Sequence, residues 1–418
     1  MKKSLWIGLF LLGGASGLYA QKGGFDFKFY GQIRTDLYYN SRSNSETVDG
    51  LFYMFPLDKK FDPNGRDLND ADNSDFYTLY SRVGVDVKGP DLGTAKTSAK
   101  VEVDFRGSGT TYSLFRLRHA YFNLDWGKSA LLVGQTWHPL YGEVAPEILN
   151  LNMGAPYQPF SRAPQIRYRY TYKQMQLTAA AIWQSQYLSV GPKSNVAGET
   201  VTQKSQEFIK KSRIPEFYLG LDYKKPGFIA GAGVHVASMT PRVQSDVNVD
   251  GETVTYRVDE RITGVSAEAH LKYNRNNLLV AAKTVLGTNL TQTSTVGGYG
   301  ITRIDEKTGE QEYAPLRTSS TWVNIAYGKK WRPALFFGYL KTLGASEEVI
   351  DVLGTGTGLG QLFTGTAELT YNVPHWKFGA EYSVCNAWYG DEFNAKAKAT
   401  KTHTVANHRL VLTAIFQF

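Results

Sequence analysis

The chain has 418 residues, with 46 basic and 38 acidic side chains, a formal net charge of +8 and a single cysteine, Cys385. One cysteine excludes an internal disulfide, and no stretch after the N-terminus has the roughly 18 consecutive apolar residues of a membrane-spanning helix. Aromatic residues and glycine are abundant, yet the mean hydropathy is slightly polar. This mixture is unusual for a large globular core. It suits a barrel with one apolar face per strand around a wet interior.

The N-terminus has the pattern of a secretory signal peptide. Two lysines precede an apolar run, Leu5 to Leu12, and mostly small residues follow. The run is too short to cross a bilayer as a helix. We therefore predict a signal peptide over residues 1–20 and a barrel over residues 21–418, with cleavage after Gly17 as the alternative.

Alternation of apolar and polar residues along extended stretches predicts sixteen strands. In the first, Phe25 to Tyr39, Phe29 and Ile33 share one face, while Arg34 and Asp36 lie on the other. The predicted strands, in chain order, cover residues 25–39, 76–88, 95–106, 114–126, 130–137, 164–172, 174–186, 214–224, 227–238, 262–273, 277–287, 318–328, 332–341, 361–372, 375–386 and 408–418.

The fourth predicted strand breaks this alternation. Ala120 and Phe122 share one phase with Arg116 and Arg118, although the first two are apolar and the last two are charged. A wall buried on both faces, by an inner loop and by a neighbouring subunit, would explain the pattern and would make a homotrimer natural. A β-bulge or a register error would explain it as well.

The last predicted strand has one apolar face, with Val411 and Ile415 lying among the polar residues of its other face. Leu410, Leu412 and Phe416 alternate with polar residues such as Arg409, and the sequence ends on Phe418. This ending resembles the closing strand of Gram-negative outer-membrane barrels, whose terminal Phe belongs to the signal read by the insertion machinery. We expect the strand to pair antiparallel with the first one, because closure removes both free edges of the sheet.

The connections between the strands fall into two alternating classes. Seven are short and turn-like, and eight others mostly run from nearly twenty to more than thirty residues, the brief 107–113 connection being the exception. Tight turns at one rim and long loops at the other are typical of bacterial outer-membrane barrels. About sixteen strands also leave an aqueous lumen. We therefore predict an all-β fold, a transmembrane antiparallel barrel of about sixteen strands with short periplasmic turns and long extracellular loops, surrounded by outer-membrane lipid and lipopolysaccharide.

Charges on the faces assigned to the lumen are unevenly distributed, with cations on the early strands and carboxylates on the later ones. Arginine stays charged and its planar fork matches carboxylate or phosphate, so the basic side is expected to favour anions. The alternative is that the charges neutralise one another. The predicted basic wall consists of Arg34, Arg82, Lys100, Arg106, Arg116, Arg118, Arg167 and Arg169, and the predicted acidic side consists of Glu216, Asp222, Glu268, Glu368 and Glu381.

The connection 138–164 differs from the other long loops because it carries five prolines and many apolar side chains. Such a loop is expected to pack against something rather than extend into solvent. Its place between the fifth and sixth strands resembles that of the third loop of sixteen-stranded porins, which folds into the barrel and narrows it. The alternative is a loop at the outer rim. The residues that would line the constriction are His138, Glu143, Glu147 and Arg162.

Two motifs give a more specific resemblance. Residues 116–121 (RLRHAY) are followed by residues 132–137 (LVGQTW). This pair resembles a pairing in the DcaP-like trimeric porins, which are associated with uptake of dicarboxylates and other negatively charged solutes. The resemblance implies a homotrimer and small anionic or polar solutes as partners. In contrast to that family, the predicted mature chain enters its first strand without a coiled-coil extension.

Together these patterns predict an outer-membrane porin of a Gram-negative bacterium, through which small hydrophilic solutes, preferentially anions such as carboxylates, diffuse passively. No cofactor or metal is implied, because the seven histidines lack zinc-ligand spacing. The sequence contains no nucleophile elbow, and an enzyme is not expected. Nucleic acid is not an expected partner, since the basic residues alternate along membrane-type strands rather than forming a patch. The alternatives are an adhesion or binding protein that uses its long loops and an outer-membrane barrel hydrolase.

Overall fold

The computed structural model describes residues 24–47, 52–106, 114–196 and 199–418. The predicted signal peptide lies outside the described residues. Within them the chain is almost entirely β-structure, with one short α-helix, α1 (Glu207–Ser212), and one 3-10 turn (Thr291–Thr293). None of the described helices is long and apolar enough to cross a membrane.

The strands are numbered here in chain order. They are β1 (Asp26–Asn40), β2 (Asn44–Thr47), β3 (Phe52–Pro56), β4 (Asn73–Tyr77), β5 (Arg82–Leu92), β6 (Ala95–Asp104), β7 (Arg116–Asp125), β8 (Ser129–Trp137), β9 (Arg162–Tyr172), β10 (Met175–Ile182), β11 (Val190–Val196), β12 (Glu199–Lys204), β13 (Glu216–Lys225), β14 (Phe228–Met239), β15 (Gln244–Val249), β16 (Glu252–Arg257), β17 (Ile262–Arg275), β18 (Leu278–Thr288), β19 (Gly297–Ile304), β20 (Gln311–Pro315), β21 (Arg317–Tyr327), β22 (Trp331–Gly344), β23 (Asp351–Thr355), β24 (Leu359–Val373), β25 (Trp376–Phe393) and β26 (Ala399–Gln417).

Seventeen of these strands form one closed antiparallel sheet, and the others form small sheets in the long loops. Strands β4 and β5 both pair with β1, one along residues 36–40 and the other along residues 26–32. They are two pieces of one wall strand, so the wall has sixteen strands. The ring closes where Arg34 of β1 lies opposite Ile415 of β26. The predicted fold class and the predicted pairing of the last strand with the first are confirmed.

The wall separates an apolar outer face from an inner face of mixed character. Along β26, Leu410 and Leu412 are exposed on the outside, whereas Arg409 and Val411 are buried on the inside. An apolar outer face is stable in lipid because the wall pairs its backbone groups between neighbouring strands.

Seven tight turns join wall strands at one rim, at the positions that the sequence predicts. Each contains a residue with positive φ, as the turns that match the twist of a hairpin require. Glycine and asparagine adopt this conformation readily. The positive-φ residues of the seven turns are Gly93, Gly127, Lys173, Gly227, Asn276 with Asn277, Gly328 and His375.

Two predicted elements differ from the structure. The predicted strand 76–88 is interrupted at residues 78–81, where Leu79 and Tyr80 turn into the interior and are buried. The last long loop, expected between residues 386 and 408, is only residues 394–398, because β25 and β26 extend to 18 and 19 residues. The outermost residues of both strands, 391–393 and 399–404, are mostly polar, and none of them is buried. A strand that projects beyond the lipid needs no apolar face, so it lacks the alternation by which strands are recognised.

The largest buried apolar cluster lies inside the barrel. It joins β3 and the loop after β8 to inward side chains of the late wall strands, such as Trp322, Phe336 and Leu362. Next to β21, β22 and β24 the interior is packed with side chains rather than filled with water, which differs from the wet lumen that the sequence predicts. Burial of apolar surface on both the loops and the wall provides the stabilisation.

Candidate permeation pathway and its arginine cluster

The third loop, residues 138–161, crosses the interior of the barrel. Near its start, the Lys283 ammonium of β18 donates to the carbonyl oxygens of Leu140 and Tyr141 at 2.8 and 2.9 Å. Near its end, the indole nitrogen of Trp322 donates to the Gln158 side chain at 2.7 Å. The loop is therefore bonded to the inner face of the wall at both ends.

Side chains from three wall strands converge on one peptide in the middle of this loop. The Leu149 N–H points at Oε2 of Glu368 and of Glu381, 2.7 and 2.8 Å away. Arg34 of β1 donates to the Leu149 carbonyl oxygen at 2.6 Å, and the Asn150 N–H donates to Glu381 at 3.0 Å. Two residues of the predicted acidic side and one of the basic wall thus hold the loop.

The first residue of the loop belongs to a buried histidine–glutamate cluster. Oε2 of Glu216 lies 2.8 Å from Nε2 of His235 and 3.4 Å from Nε2 of His138, and its Oε1 accepts a 2.7 Å bond from Gln184. The ligand atoms of these two histidines and the glutamate lie within 4.8 Å of one another, close enough to hold a metal ion. However, Nδ1 of His138 accepts the Leu140 N–H at 3.1 Å. This bond places the ring proton on Nε2, where a metal would need the lone pair. The cluster is therefore better described as a hydrogen-bonded anchor of the loop.

Tyr80, in the break between β4 and β5, is the centre of the basic wall. The guanidinium carbons of Arg34, Arg82, Arg106 and Arg118 lie 5.2 to 5.6 Å from the centroid of its ring. An aromatic face attracts cations at such distances. The sequence predicts the four arginines as members of the basic wall but not the tyrosine, because no signal in it indicates that the strand is interrupted there.

Carboxylates neutralise part of this wall. Asp104 accepts hydrogen bonds from Arg116 at 2.5 Å and from Arg118 at 2.9 Å, and Arg34 forms a 2.7 Å ion pair with Asp36. Asp36 lies on the same strand as Arg34, two residues along, and Asp104 of β6 lies opposite Arg116 of the neighbouring strand β7. A count of cations alone therefore overstates the positive charge of the wall.

Arg106 and Arg162 are the exceptions. Both are 0 % exposed, and all three guanidinium nitrogens of Arg106 lack a hydrogen-bond partner among the residues that the structure describes. One nitrogen of Arg162 donates to Gln186 at 3.1 Å, and its guanidinium carbon lies 3.7 Å from the centroid of a Trp137 ring. In the described part of the chain, no carboxylate oxygen lies within 4.0 Å of either guanidinium group. Burial of an unpaired charge costs several kcal/mol. Both guanidinium groups pack against aromatic rings, Arg106 against Phe52 and Tyr80 and Arg162 against Trp137 and Phe160.

A second group of charges lines a cavity of about 180 Å³ on the side of the loop nearer the tight turns. Arg167 and Arg169 lie on one wall of the cavity, with Glu143 of the loop 3.9 Å from Arg169. Opposite them, Asp222 lies 3.1 Å from Nε2 of His270. Both signs of charge face the same space, and the Arg167 side chain has no carboxylate partner among the described residues.

The other predicted site residues also lie on the inner face of the wall or on the loop, and each has a partner. The acidic residues are mostly buried and bonded to histidines, tyrosines or the loop rather than facing open space. Their part in permeation stays a prediction. The remaining contacts are Lys100 with Asp86 (3.0 Å), Arg82 with Glu102 (3.7 Å), Tyr218 with Glu268 (2.9 Å), and Glu147 with Lys272 (2.9 Å) and Arg332 (2.7 Å).

A β-bulge explains the irregular alternation of β7. The register against β6 shifts between Leu117 and His119, leaving Arg118 as the extra residue. Arg118 and His119 are consequently both buried, whereas Leu117 and Phe122 on either side are exposed on the outer face. Of the explanations that the sequence leaves open, the bulge accounts for the pattern without a contact from another subunit.

Comparison with known proteins adds a decisive observation. A profile of the DcaP outer membrane protein family matches residues 20–259. The chain belongs to this family. The outer membrane DcaP channel of Acinetobacter baumannii is 19% identical, with 95% of this chain and 99% of that chain covered and a TM-score of 0.66. A comparison with curated protein sequences finds no significant match.

Other solved porins share the fold. OmpT of Vibrio cholerae is 12% identical, with 96% of this chain and 100% of that one covered and a TM-score of 0.55. OmpF of Salmonella typhi is 13% identical, with 94% and 98% covered and a TM-score of 0.51. Membership of the DcaP family and the porin barrel confirm the predicted location in the outer membrane of a Gram-negative bacterium and the predicted class, a porin.

Proposed function

We propose that this DcaP-family porin is a passive channel for small hydrophilic anions, carboxylates in particular. The unpaired guanidinium groups of Arg106 and Arg162 inside the barrel are the observation that supports this selectivity. The family and the fold indicate a channel rather than an enzyme.

The physical argument is one of charge balance. Most cations of the basic wall already have carboxylate partners, such as Asp104 for Arg116. An anion that approaches Arg106 and Arg162 supplies the missing counter-charge, whereas a cation would add to the unfavourable field. The planar fork of arginine also favours carboxylates over spherical anions, because it can form two parallel hydrogen bonds.

The third loop narrows the pathway in this proposal. It is bonded to the wall at Leu149 and at His138, and its two exposed carboxylates, Glu143 and Glu147, are matched by cations of the wall. Solutes would therefore pass the loop on the side where the arginines lie, and not through the packed side.

The protein is further proposed to assemble as a homotrimer surrounded by outer-membrane lipid and lipopolysaccharide. A trimer form has been solved for OmpT of Vibrio cholerae, which shares the fold. The exposed apolar side chains of the outer wall supply the surface for lipid contacts. Migration of unheated and heated protein on gels, together with light scattering in detergent, measures the number of subunits. A monomeric mass would contradict the trimer.

Planar-bilayer recording in a salt gradient tests the channel. We expect discrete conductance steps and a reversal potential that favours anions. In the Arg106→Gln/Arg162→Gln variant the anion preference should fall several-fold, because the unpaired charges are gone. Neither guanidinium group has a carboxylate partner among the described residues, so the substitution breaks no ion pair and the variant is expected to fold.

Arg303→Gln is the matched control, because Arg303 is exposed on a loop strand and paired with Glu312. It should retain the wild-type reversal potential. A cation preference in the wild type would contradict the selectivity, and an absence of conductance steps would contradict the channel itself.

A further inference from the structure

The short helix α1 forms a fixed platform at the extracellular end of β13. Phe208 and Ile209 are buried, and Phe208 belongs to an apolar cluster with Met239 and Ile262. The carbonyl oxygen of Phe208 accepts the backbone N–H of Thr240 at 3.0 Å. The helix is thereby held against the outer ends of β14 and β17, and its polar side faces outward.

Four exposed cations gather at this platform from two parts of the chain. Lys210 and Lys211 lie in the last turn of the helix, and Arg213 directly follows it. Arg261 precedes β17, and its guanidinium donates to the carbonyl oxygen of Ser212 at 3.3 Å, which places it beside the end of the helix.

Little negative charge compensates these cations. Lys210 forms a 2.9 Å ion pair with Glu207. For Lys211, Arg213 and Arg261, no carboxylate oxygen of the described residues lies within 4.0 Å. The platform is therefore positively charged, and the side chains of Lys211 and Arg213 form no ion pair or hydrogen bond with other described residues.

The exposed apolar side chains on the outer face of the barrel begin immediately below the platform. Ile214 and Phe217 are exposed on the outer face of β13 and just before it, and Val265 is exposed on β17. Trp183 is exposed next to the outer end of β10, whose Ile182 pairs with the first residue of β13. Aromatic and basic residues at such a boundary are typical of the membrane interface.

We propose that this sector of the rim, Lys210, Lys211, Arg213 and Arg261 above Ile214 and Phe217, is a binding site for lipopolysaccharide. The cations contact the phosphate groups of its lipid A headgroup, and the apolar residues below contact its acyl chains. Guanidinium groups bind phosphate through paired hydrogen bonds, and lysines act as mobile point charges. This site rests on the proposed contact of the barrel with lipopolysaccharide, and it is independent of the anion selectivity of the lumen.

The test measures binding of purified bisphosphorylated lipid A to the mature protein in detergent. In the Lys211→Gln/Arg213→Gln variant we expect affinity to fall by about fivefold for each cation removed, as for cations near an anionic membrane surface. The matched control is Lys396→Gln/Lys398→Gln, which removes two exposed lysines at the tip of the β25–β26 hairpin. The control should bind lipid A as the wild type does.

Two further probes distinguish the sources of affinity. Dephosphorylated lipid A should bind no better to the wild type than to the variant, and inorganic phosphate alone should not bind measurably. Equal affinity of variant and wild type for bisphosphorylated lipid A would overturn the site. So would wild-type binding of dephosphorylated lipid A as tight as that of bisphosphorylated lipid A, or measurable binding of free phosphate. Single-channel conductance of the same variant should be unchanged. A wild type that binds lipid A but does not conduct contradicts the channel and not this site.

Discussion

The two sides of the barrel interior are built from the same kind of alternating strand and yet have opposite character. On the side of β1 to β9, inward positions hold arginines, and three of them, Arg106, Arg162 and Arg167, have no carboxylate partner among the described residues. On the side of β21 to β26, inward positions hold Trp322, Phe336 and Leu362, which pack against the third loop and β3. The difference shows that an inward position is not by itself a pore-lining position.

The third loop covers the interior side formed by β21 to β26 and leaves the arginine side formed by β1 to β9 charged. Its Tyr157 is buried against Phe336 of β22 and shares a 2.7 Å hydrogen bond with Thr364 of β24. Its backbone N–H groups at residues 149 and 150 are bonded to Glu368 and Glu381 on that side. Covering the apolar positions leaves the arginine side as the hydrophilic part of the interior.

The packed side should be the more sensitive to truncation. We expect Trp322→Ala to lower the free energy of unfolding by about 3–5 kcal/mol, because a large buried side chain leaves a cavity and its hydrogen bond to Gln158 is lost. Urea unfolding in lipid vesicles, followed by far-UV circular dichroism, measures the change. Trp331→Ala, on the exposed outer face, is the control. Equal costs for the two variants would mean that the interior is not a packed core on this side.

The arginine side should respond to loss of a counter-ion. Asp104→Asn leaves Arg116 without its carboxylate and weakens the contact of Arg118. Breaking a buried pair typically costs about 3 kcal/mol or more, and the additional unpaired charge should shift the reversal potential further toward anions. Asp125→Asn, at an exposed turn, serves as the comparison. A stable variant with unchanged selectivity would show that Asp104 does not neutralise the wall.

The third loop can be released from the late wall strands by removing the carboxylates that accept the Leu149 N–H. Glu368→Ala/Glu381→Ala removes both acceptors of its N–H and that of Asn150. Unsatisfied buried donors cost about 1–3 kcal/mol, so the loop should detach locally, and the conductance and open-channel noise should both rise. An alanine at the exposed Glu392 should change neither. Conductance identical to that of the wild type would indicate that the loop is held without these carboxylates.

The smallest predicted effect is the response to acid of the first loop, the connection between β1 and β4. This loop contains β3, which packs in the large apolar cluster. Burial alone would raise the pKa of Asp67, but hydrogen bonds from the Lys60 N–H and from Arg42 hold the pKa below its usual value. A carboxyl with a lowered pKa stabilises the folded state above its unfolded pKa near 3.8, and this contribution is lost as the pH falls through the folded pKa. Arg42 also donates to the carbonyl oxygen of Leu57, just after β3.

Proteolysis of the first loop between pH 7 and pH 3, with an acid-active protease, measures this effect. Cleavage in the wild type should increase only in the acidic part of the range. Asp67→Asn cannot ionise, so its cleavage should vary less with pH. Parallel profiles for the two proteins would show that Asp67 does not fasten the loop.

The sequence by itself determined the wall. Alternation in β26 predicted which residues face lipid, and the seven short connections predicted the rim of tight turns. These features are local, since the two-residue period and the turn conformations depend on neighbouring residues in the chain. The same alternation placed Arg34 and Glu381 on the inner face.

Only the tertiary structure decided what those inward residues meet. The stagger between strands and the path of the third loop set these contacts. They determine the pairing of Arg116 with Asp104, the position of Tyr80 and the bulge at Arg118. They also leave Arg106 without a partner among the described residues. Contacts between residues far apart in sequence fix both the stagger and the path of the loop. The interior charge of this porin is therefore a property of the closed barrel with its loop in place.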